Sequence, residues 1–308
     1  MSRRAHTYRL YGLSVRSSLP LPGARTREAA DVILASWRTV PTGPASGGRG
    51  WFACHRLPDD STYLRWRGLA EFVVSGDGRR IAWRRSLGAS HEAFCTYLLS
   101  QVLSFSLLAR GREPLHASAV AVPGGVIGFL GDCGSGKSSL TAAFLRAGYP
   151  LVTDDLLVLR PRRNGYAAEP GVARIKLYPR VARVLGGRPA GTPMSPGTAK
   201  LVFAVPRAMA VRRPLPLHTL YVLARGRSVR VLPVSPGAAC LEILRDAFNT
   251  VWLDRPRLAR QFRFARRLAG RVRVRRISYP RRLTALDEVC EAILRDCAQS
   301  PTAEIRLG

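Results

Sequence analysis

Residues 131–138 read Gly131-Asp132-Cys133-Gly134-Ser135-Gly136-Lys137-Ser138, the pattern G-x-x-x-x-G-K-S without deviation. The chemistry that needs this spelling is the grip of a row of phosphates. Glycines let successive backbone N–H groups turn toward phosphate oxygens. A helix starting where the loop ends adds the positive end of its dipole. Lys137 supplies a compact ammonium for the β and γ phosphates and Ser138 a hydroxyl for a divalent ion, with Ser139 following at the mouth of the helix. The ligands implied are ATP and Mg2+. Only Lys137, Lys176 and Lys200 among the 49 basic residues are lysines. A planar guanidinium is a poor point charge, so a lysine at 137 is required even in a chain that otherwise uses arginine.

Asp154 and Asp155 end an apolar stretch, Asp155 lying seventeen residues after Ser138. One carboxylate at a strand end beside such a loop can hold Mg2+ directly or through water. A second is more than the metal needs, and it can take the proton of an attacking hydroxyl. Adjacent strand residues point to opposite faces, so both reach one ligand only if the strand stops there. Lys137 is expected to offset their mutual repulsion. The reading places Ser138 and Asp154 at the metal. His116, in Leu115-His116-Ala117-Ser118, is a further candidate just ahead of the strand that leads to the loop. Arg174, Lys176 and Lys200 are candidates for charge at a transferring phosphoryl group, and Asn249 for a substrate contact.

These groups need elements to carry them. Apolar runs at 118–122 and 125–130 around Pro123-Gly124 read as paired strands, and 137–147 as a helix after the loop. Short strand signals at 151–153 and 156–159 flank the two aspartates. Ahead of them, 8–11, 13–15, 31–37, 51–54, 62–66, 72–75 and 80–83 alternate as strands, Gly76-Asp77-Gly78 making a hairpin turn. Residues 41–50 read as a loop. A helix from Ser90 to Arg110, stopped by Gly111, follows, and another covers Asp287–Cys297. The organisation expected is a β-rich accessory domain over 1–111, ending in a helix, and an α/β catalytic domain over 112–308.

The chain has 308 residues and a formal charge of +29, and twelve arginines without one acid fall between Arg255 and Arg282. That run suggests docking of an acidic partner or a solvated face. Nucleic acid is supported by charge alone, with no zinc-finger, helix-turn-helix or aromatic-platform pattern. The uncharged run 93–109 is shorter than a bilayer span and interrupted by Thr96, Ser100, Gln101, Ser104 and Ser106, so it reads as a buried helix. No membrane partner and a cytoplasmic location are expected. Homo-oligomerisation stays open. The six cysteines show no C-x-x-C pair, and Cys290 and Cys297 sit on an apolar stripe as core residues.

His116 twenty-one residues before Lys137, the Gly-Asp-x-Gly-x-Gly-Lys-Ser loop, and Gly148-Tyr149-Pro150-Leu151-Val152-Thr153-Asp154-Asp155 together resemble the catalytic domain of HPr kinase/phosphorylase. The resemblance covers about Leu115 to Arg160. It implies a P-loop, HPr-kinase-like (PEP-carboxykinase-like) α/β domain. It also implies Asp155 as proton acceptor from a substrate serine and His116 as its partner. The family's Leu-Glu-Ile-Arg-Gly motif has no counterpart, since this chain reads Ala173-Arg174-Ile175-Lys176-Leu177-Tyr178-Pro179 there. The opening Tyr-x-x-Tyr-Gly-Leu and the Leu-His-Ala-Ser-Ala-Val segment are closer to the HPr-kinase-related proteins that accompany ribosomally made peptides, lasso-peptide kinases among them. The function implied is an ATP-dependent serine kinase acting on a peptide or small protein. The alternative is a nucleotide-dependent regulator or nucleic-acid-associated ATPase with no kinase substrate.

Overall fold

A computed structural model describes residues 4–37, 50–186, 191–195, 197–251 and 254–299. Apart from Gly50, the proposed loop at 41–50 lies outside them. Eight strands build the N-terminal sheet, in the order Ala24–Thr26, His6–Leu10, Leu13–Ser17, Val32–Ser36, Arg80–Arg85, Ala70–Val74, Thr62–Trp66, Phe52–Arg56. All neighbours are antiparallel except the two pairs that Val32–Ser36 makes. Its apolar face is closed by the helical stretch that begins at Ser90, whose hydroxyl caps the first turn. Phe94 stacks on Phe72 at 5.4 Å, and Tyr97 lies 4.9 Å from Trp66. The stretch His91–Ala109 is long and apolar enough to cross a membrane, but 78% of it is buried inside the protein, as the interrupted apolar run suggested.

The continuous helix expected over 90–110 is in fact two α-helical pieces, His91–Tyr97 and Leu103–Ala109, joined by a π-helical turn, Leu98–Val102. Here Ser100 Oγ donates to the Thr96 carbonyl and Ser104 Oγ to Gln101. Hydroxyls that bond back into the helix compete with its ladder, and such turns mark where it is distorted. The first hairpin also differs from expectation. Tyr11 leaves the strand with φ 54°, and Tyr11-Gly12 forms the turn between His6–Leu10 and Leu13–Ser17.

The second sheet is centred on Gly125–Leu130. This strand pairs antiparallel with Ser118–Val122 and parallel with Leu215–Arg225, which pairs parallel with Arg273–Tyr279. Leu151–Thr153 adds to the outer side of Ser118–Val122. Alternation along the central strands sorts side chains into two cores. Ile127, Phe129, Tyr221 and Leu223 face one, with Leu140 and Phe144 of helix Lys137–Arg146 and Val289 and Ile293 of helix Leu286–Ala298. Val126, Leu130, Leu220 and Val222 face the other, with Ile243 of helix Pro236–Arg245 and Ala265 and Leu268 of helix Arg255–Ala269. The second strand signal after the aspartates is displaced: Leu156 and Leu157 precede the strand, which runs Val158–Arg162 and pairs with Gly165–Glu169. A third, three-stranded antiparallel sheet places Thr198–Ala204 between Arg174–Leu177 and Thr192–Ser195.

Candidate functional site

The glycine-rich loop leaves strand Gly125–Leu130 and enters helix Lys137–Arg146. Gly131, Gly134 and Gly136 have φ of 137°, 81° and 97°. Such left-handed geometry favours glycine. The helix starts at Gly136 with no side-chain cap, so its first N–H groups and dipole face whatever lies in the loop. Ser135 Oγ is buried with no hydrogen-bond partner, which is a cost unless a ligand supplies one. The loop is anchored from outside. The Gly131 N–H donates to Asp246 Oδ2 at 2.8 Å. Arg281 donates to the carbonyls of Gly134, at 3.2 Å, and Ser135, and Tyr279 OH lies 3.4 Å from the latter. Lys137 is buried, its ammonium turned onto the carbonyls of Gly131 and Asp132. Burial lowers its pKa against the opposing pull of Asp246 and Asp155. Asp132, Cys133 and Gly134 are exposed on the loop's outer turn, while Ser138 and Ser139 are partly buried at its base.

Strand Leu151–Thr153 does stop just before the two aspartates. Asp154 follows without a strand's constraint, and Asp155 has φ 86°, so the pair no longer obeys strand alternation and both carboxylates line the pocket at the loop. Asp154 Oδ1 accepts from Ser118 Oγ at 2.6 Å and Ser138 Oγ at 2.9 Å, and Oδ2 from the Lys176 N–H at 2.9 Å. Asp155 Oδ2 meets Lys176 Nζ at 2.7 Å, and Oδ1 lies 3.5 Å from His116 Nε2. Burial pushes the Asp155 carboxyl up, but Lys176 and then His116 more than offset it, holding it well below the usual carboxylate range. His116 is placed by its backbone N–H on the Asp246 carbonyl, 2.6 Å, and by an edge-to-face contact of its ring with Phe248.

His116, Lys137, Ser138, Asp154 and Asp155 therefore meet in one pocket. Lys137 does attract both aspartates, as expected, but the counter-charge in contact with Asp155 is a different lysine. It is Lys176, because the third sheet swings strand Arg174–Leu177 over the aspartates while Lys137 folds into its own loop. Arg174 lies outside the pocket lining and pairs with Glu92. Asn249 is likewise outside it, donating to the Gln101 carbonyl at 3.3 Å and to Ser104 Oγ in the π-helical turn. Lys176 and Lys200 both line the pocket, with Tyr178. Asp246 and Arg281 were missed. They reach the loop across 115 and 146 residues of sequence, and no local pattern marks them. The lysines did carry a signal: all three in the chain line this pocket, and among the described residues no arginine does.

Among the described residues no group of three or more His, Cys, Asp or Glu can hold a metal by itself. The Ser138 hydroxyl and Asp154 carboxylate are hard oxygen donors in contact, a pair that suits Mg2+ once phosphate oxygens and water fill the remaining positions. In the arginine-rich stretch, Arg257 donates to the carbonyls of Phe248 and Asn249. Arg260, Arg275 and Arg276 pair with Glu113, Asp296 and Glu242. Arg255, Arg263, Arg266, Arg267, Arg271 and Arg282 are exposed.

No family model matches the chain, and no curated protein matches it. Among solved structures it is similar to the Hpr(Ser) kinase/phosphatase from Coxiella burnetii, at 14% sequence identity and a TM-score of 0.35, over 60% of this chain and 97% of that one. So loose a superposition carries neither fold nor function to this chain, and both rest on the residues described above.

Proposed function

We propose that this chain is an ATP-dependent serine kinase whose acceptor is a peptide or small protein, of the class of ribosomally made, lasso-type precursors that the kinases it resembles in sequence accompany. The observation that carries the reading is the Asp155 carboxylate, held by Lys176 and His116 beside a glycine-rich loop whose Ser138 touches Asp154. The loop N–H groups and Lys137 bind the β and γ phosphates of ATP. Ser138 and Asp154 would hold a magnesium ion, which when bound would neutralise charge on those phosphates.

Asp155 accepts a hydrogen bond from the acceptor hydroxyl and aims its oxygen at the γ phosphorus. The new O–P bond forms as the bond to the β-phosphate oxygen breaks, ADP leaves, and the proton passes to Asp155. A strongly acidic Asp155 fits this role, because the transition state is loose and demands orientation more than basicity. A nucleotide sensor that does not turn over has no use for this second carboxylate, whereas an ATPase would aim it at water, so transfer to an acceptor is what separates the two.

The test is transfer of labelled γ-phosphate to serine peptides. Asp155→Asn is expected to lose transfer by about a hundredfold or more with nucleotide affinity retained. Hydrolysis of ATP without transfer in the wild type, unchanged in Asp155→Asn, would leave the regulator or nucleic-acid-associated ATPase in its place.

A further inference from the structure

The lysines divide their labour unevenly. Lys137 is committed to its loop, and Lys176 to Asp155. Lys200 also lines the pocket, yet among the described residues no carboxylate pairs with it. It is carried by strand Thr198–Ala204, whose register sets Lys176 opposite Val202 and Leu177 opposite Leu201. Continuing that register one step past the strand end, Tyr178 falls opposite Lys200, on the same face of the strand pair as Lys176. The Lys200 ammonium lies 5.4 Å from the centre of the Tyr178 ring, and Tyr178 is 50% exposed. A cation held over an aromatic face keeps its position while its charge remains available to an anion.

Lys200 is also a lysine where the chain overwhelmingly uses arginine. Its compact ammonium can meet a single carboxylate oxygen as a point charge, without the two-pronged geometry a guanidinium would impose. The phosphates of a nucleotide already have Lys137, the loop N–H groups and the helix end. Strand Arg174–Leu177 instead carries the pocket lining from Lys176, at Asp155, to the half-exposed Tyr178. A chain with a net charge of +29 also draws anionic partners toward such a cleft.

We infer that Lys200 and Tyr178 form an acceptor subsite that binds a carboxylate near the reactive hydroxyl, so that the preferred acceptor is an acidic peptide. This inference rests on the kinase reading. It places the specificity of the reaction on the small third sheet.

With three lysines, all in the pocket, the test is direct. Reductive 13C-dimethylation keeps each ammonium charged and gives one NMR signal for each lysine beside that of the N-terminal amine. Lys176→Arg and Lys200→Arg assign the signals. The intact protein is titrated with magnesium and a non-hydrolysable ATP analogue, with a serine hexapeptide flanked by Glu, and with its Gln counterpart. The expected result is that the nucleotide moves the Lys137 signal, the Glu peptide moves that of Lys200, and the Gln peptide leaves Lys200 still. In unlabelled Lys200→Gln the dissociation constant for the Glu peptide should rise about tenfold, the loss of one charge-assisted contact. A Lys200 signal that ignores the Glu peptide, or answers only the nucleotide, overturns the subsite. If the nucleotide moves no lysine signal, the kinase reading itself falls, and the two failures are read separately.

Discussion

Asp246 is the residue on which loop and charge meet. It is buried, its Oδ2 takes the Gly131 N–H, and its carbonyl takes the His116 N–H. Burial raises its pKa, with Lys137 and the Gly131 N–H opposing. A carboxyl whose folded pKa lies above its unfolded value of about 3.9 binds its proton more tightly in the folded state. Folding stability is therefore lost as pH rises from the unfolded value through the folded one. Asp246→Asn keeps an oxygen for Gly131 and removes that loss. Urea unfolding of the two proteins across pH should converge near pH 3, and the variant should be at least as stable at pH 7. Lys176 gives the opposite case. Its pair with Asp155 is mostly buried, so Lys176→Met leaves a carboxylate short of its main partner and should cost about 2 kcal/mol of stability, discounted for partial exposure. Lys176→Arg should not restore transfer, since the fork cannot reproduce a single ammonium contact.

At the scale of elements, the strand, loop and helix around Gly131–Ser138 were legible because each is local: an apolar run, a glycine spelling and an Ala/Leu-rich stretch. The helical stretch 91–109 was legible as a helix but not as a helix with a π turn. The turn is braced from outside by Asn249, 145 residues from Ser104. Asn249 holds φ 54° and donates its side chain to Gln101 and Ser104. The third sheet, which delivers Lys176 and Lys200, went unread although Pro196-Gly197 is a turn signal in its sequence, because strand Arg174–Leu177 finds its partner Thr198–Ala204 only across an intervening helix and strand. Asn249→Ala removes two hydrogen bonds and leaves an L-residue in the left-handed region, so a loss of about 2 kcal/mol is expected in thermal or urea unfolding. Asn249→Gly relieves only the backbone part and should recover about 1 kcal/mol of that loss. If both variants unfold with the wild type, the strut between the helix and residues 246–249 is not what holds the turn.

At the scale of the molecule, the composition shift near residue 111 suggests a seam, but apolar packing runs across it. Leu156, Val158, Val172 and Phe248 belong to the same core as Tyr11, Phe72, Phe94 and Leu98. The Tyr11 N–H bonds the Pro170 carbonyl. A Cβ on Gly12 would lie 2.7 Å from Glu169, and Glu92 pairs with Arg174 two residues before Lys176. Tyr11, Thr96, Leu99 and Ser100 line a small cavity whose far wall is Asp154 and Lys176. The N-terminal sheet and its helix thus back the aspartates. Burying one large apolar side chain contributes about 2 kcal/mol, so exposing four in a unit whose whole stability is about 10 kcal/mol removes most of it. Residues 112–308 expressed alone should therefore lack a cooperative unfolding transition and show little amide-exchange protection at 151–158 and 172–177. The full chain should unfold in one step by both near- and far-ultraviolet circular dichroism. Two separated transitions in the full chain, or a protected and nucleotide-binding fragment, would mean that the N-terminal half only covers the site and does not build it.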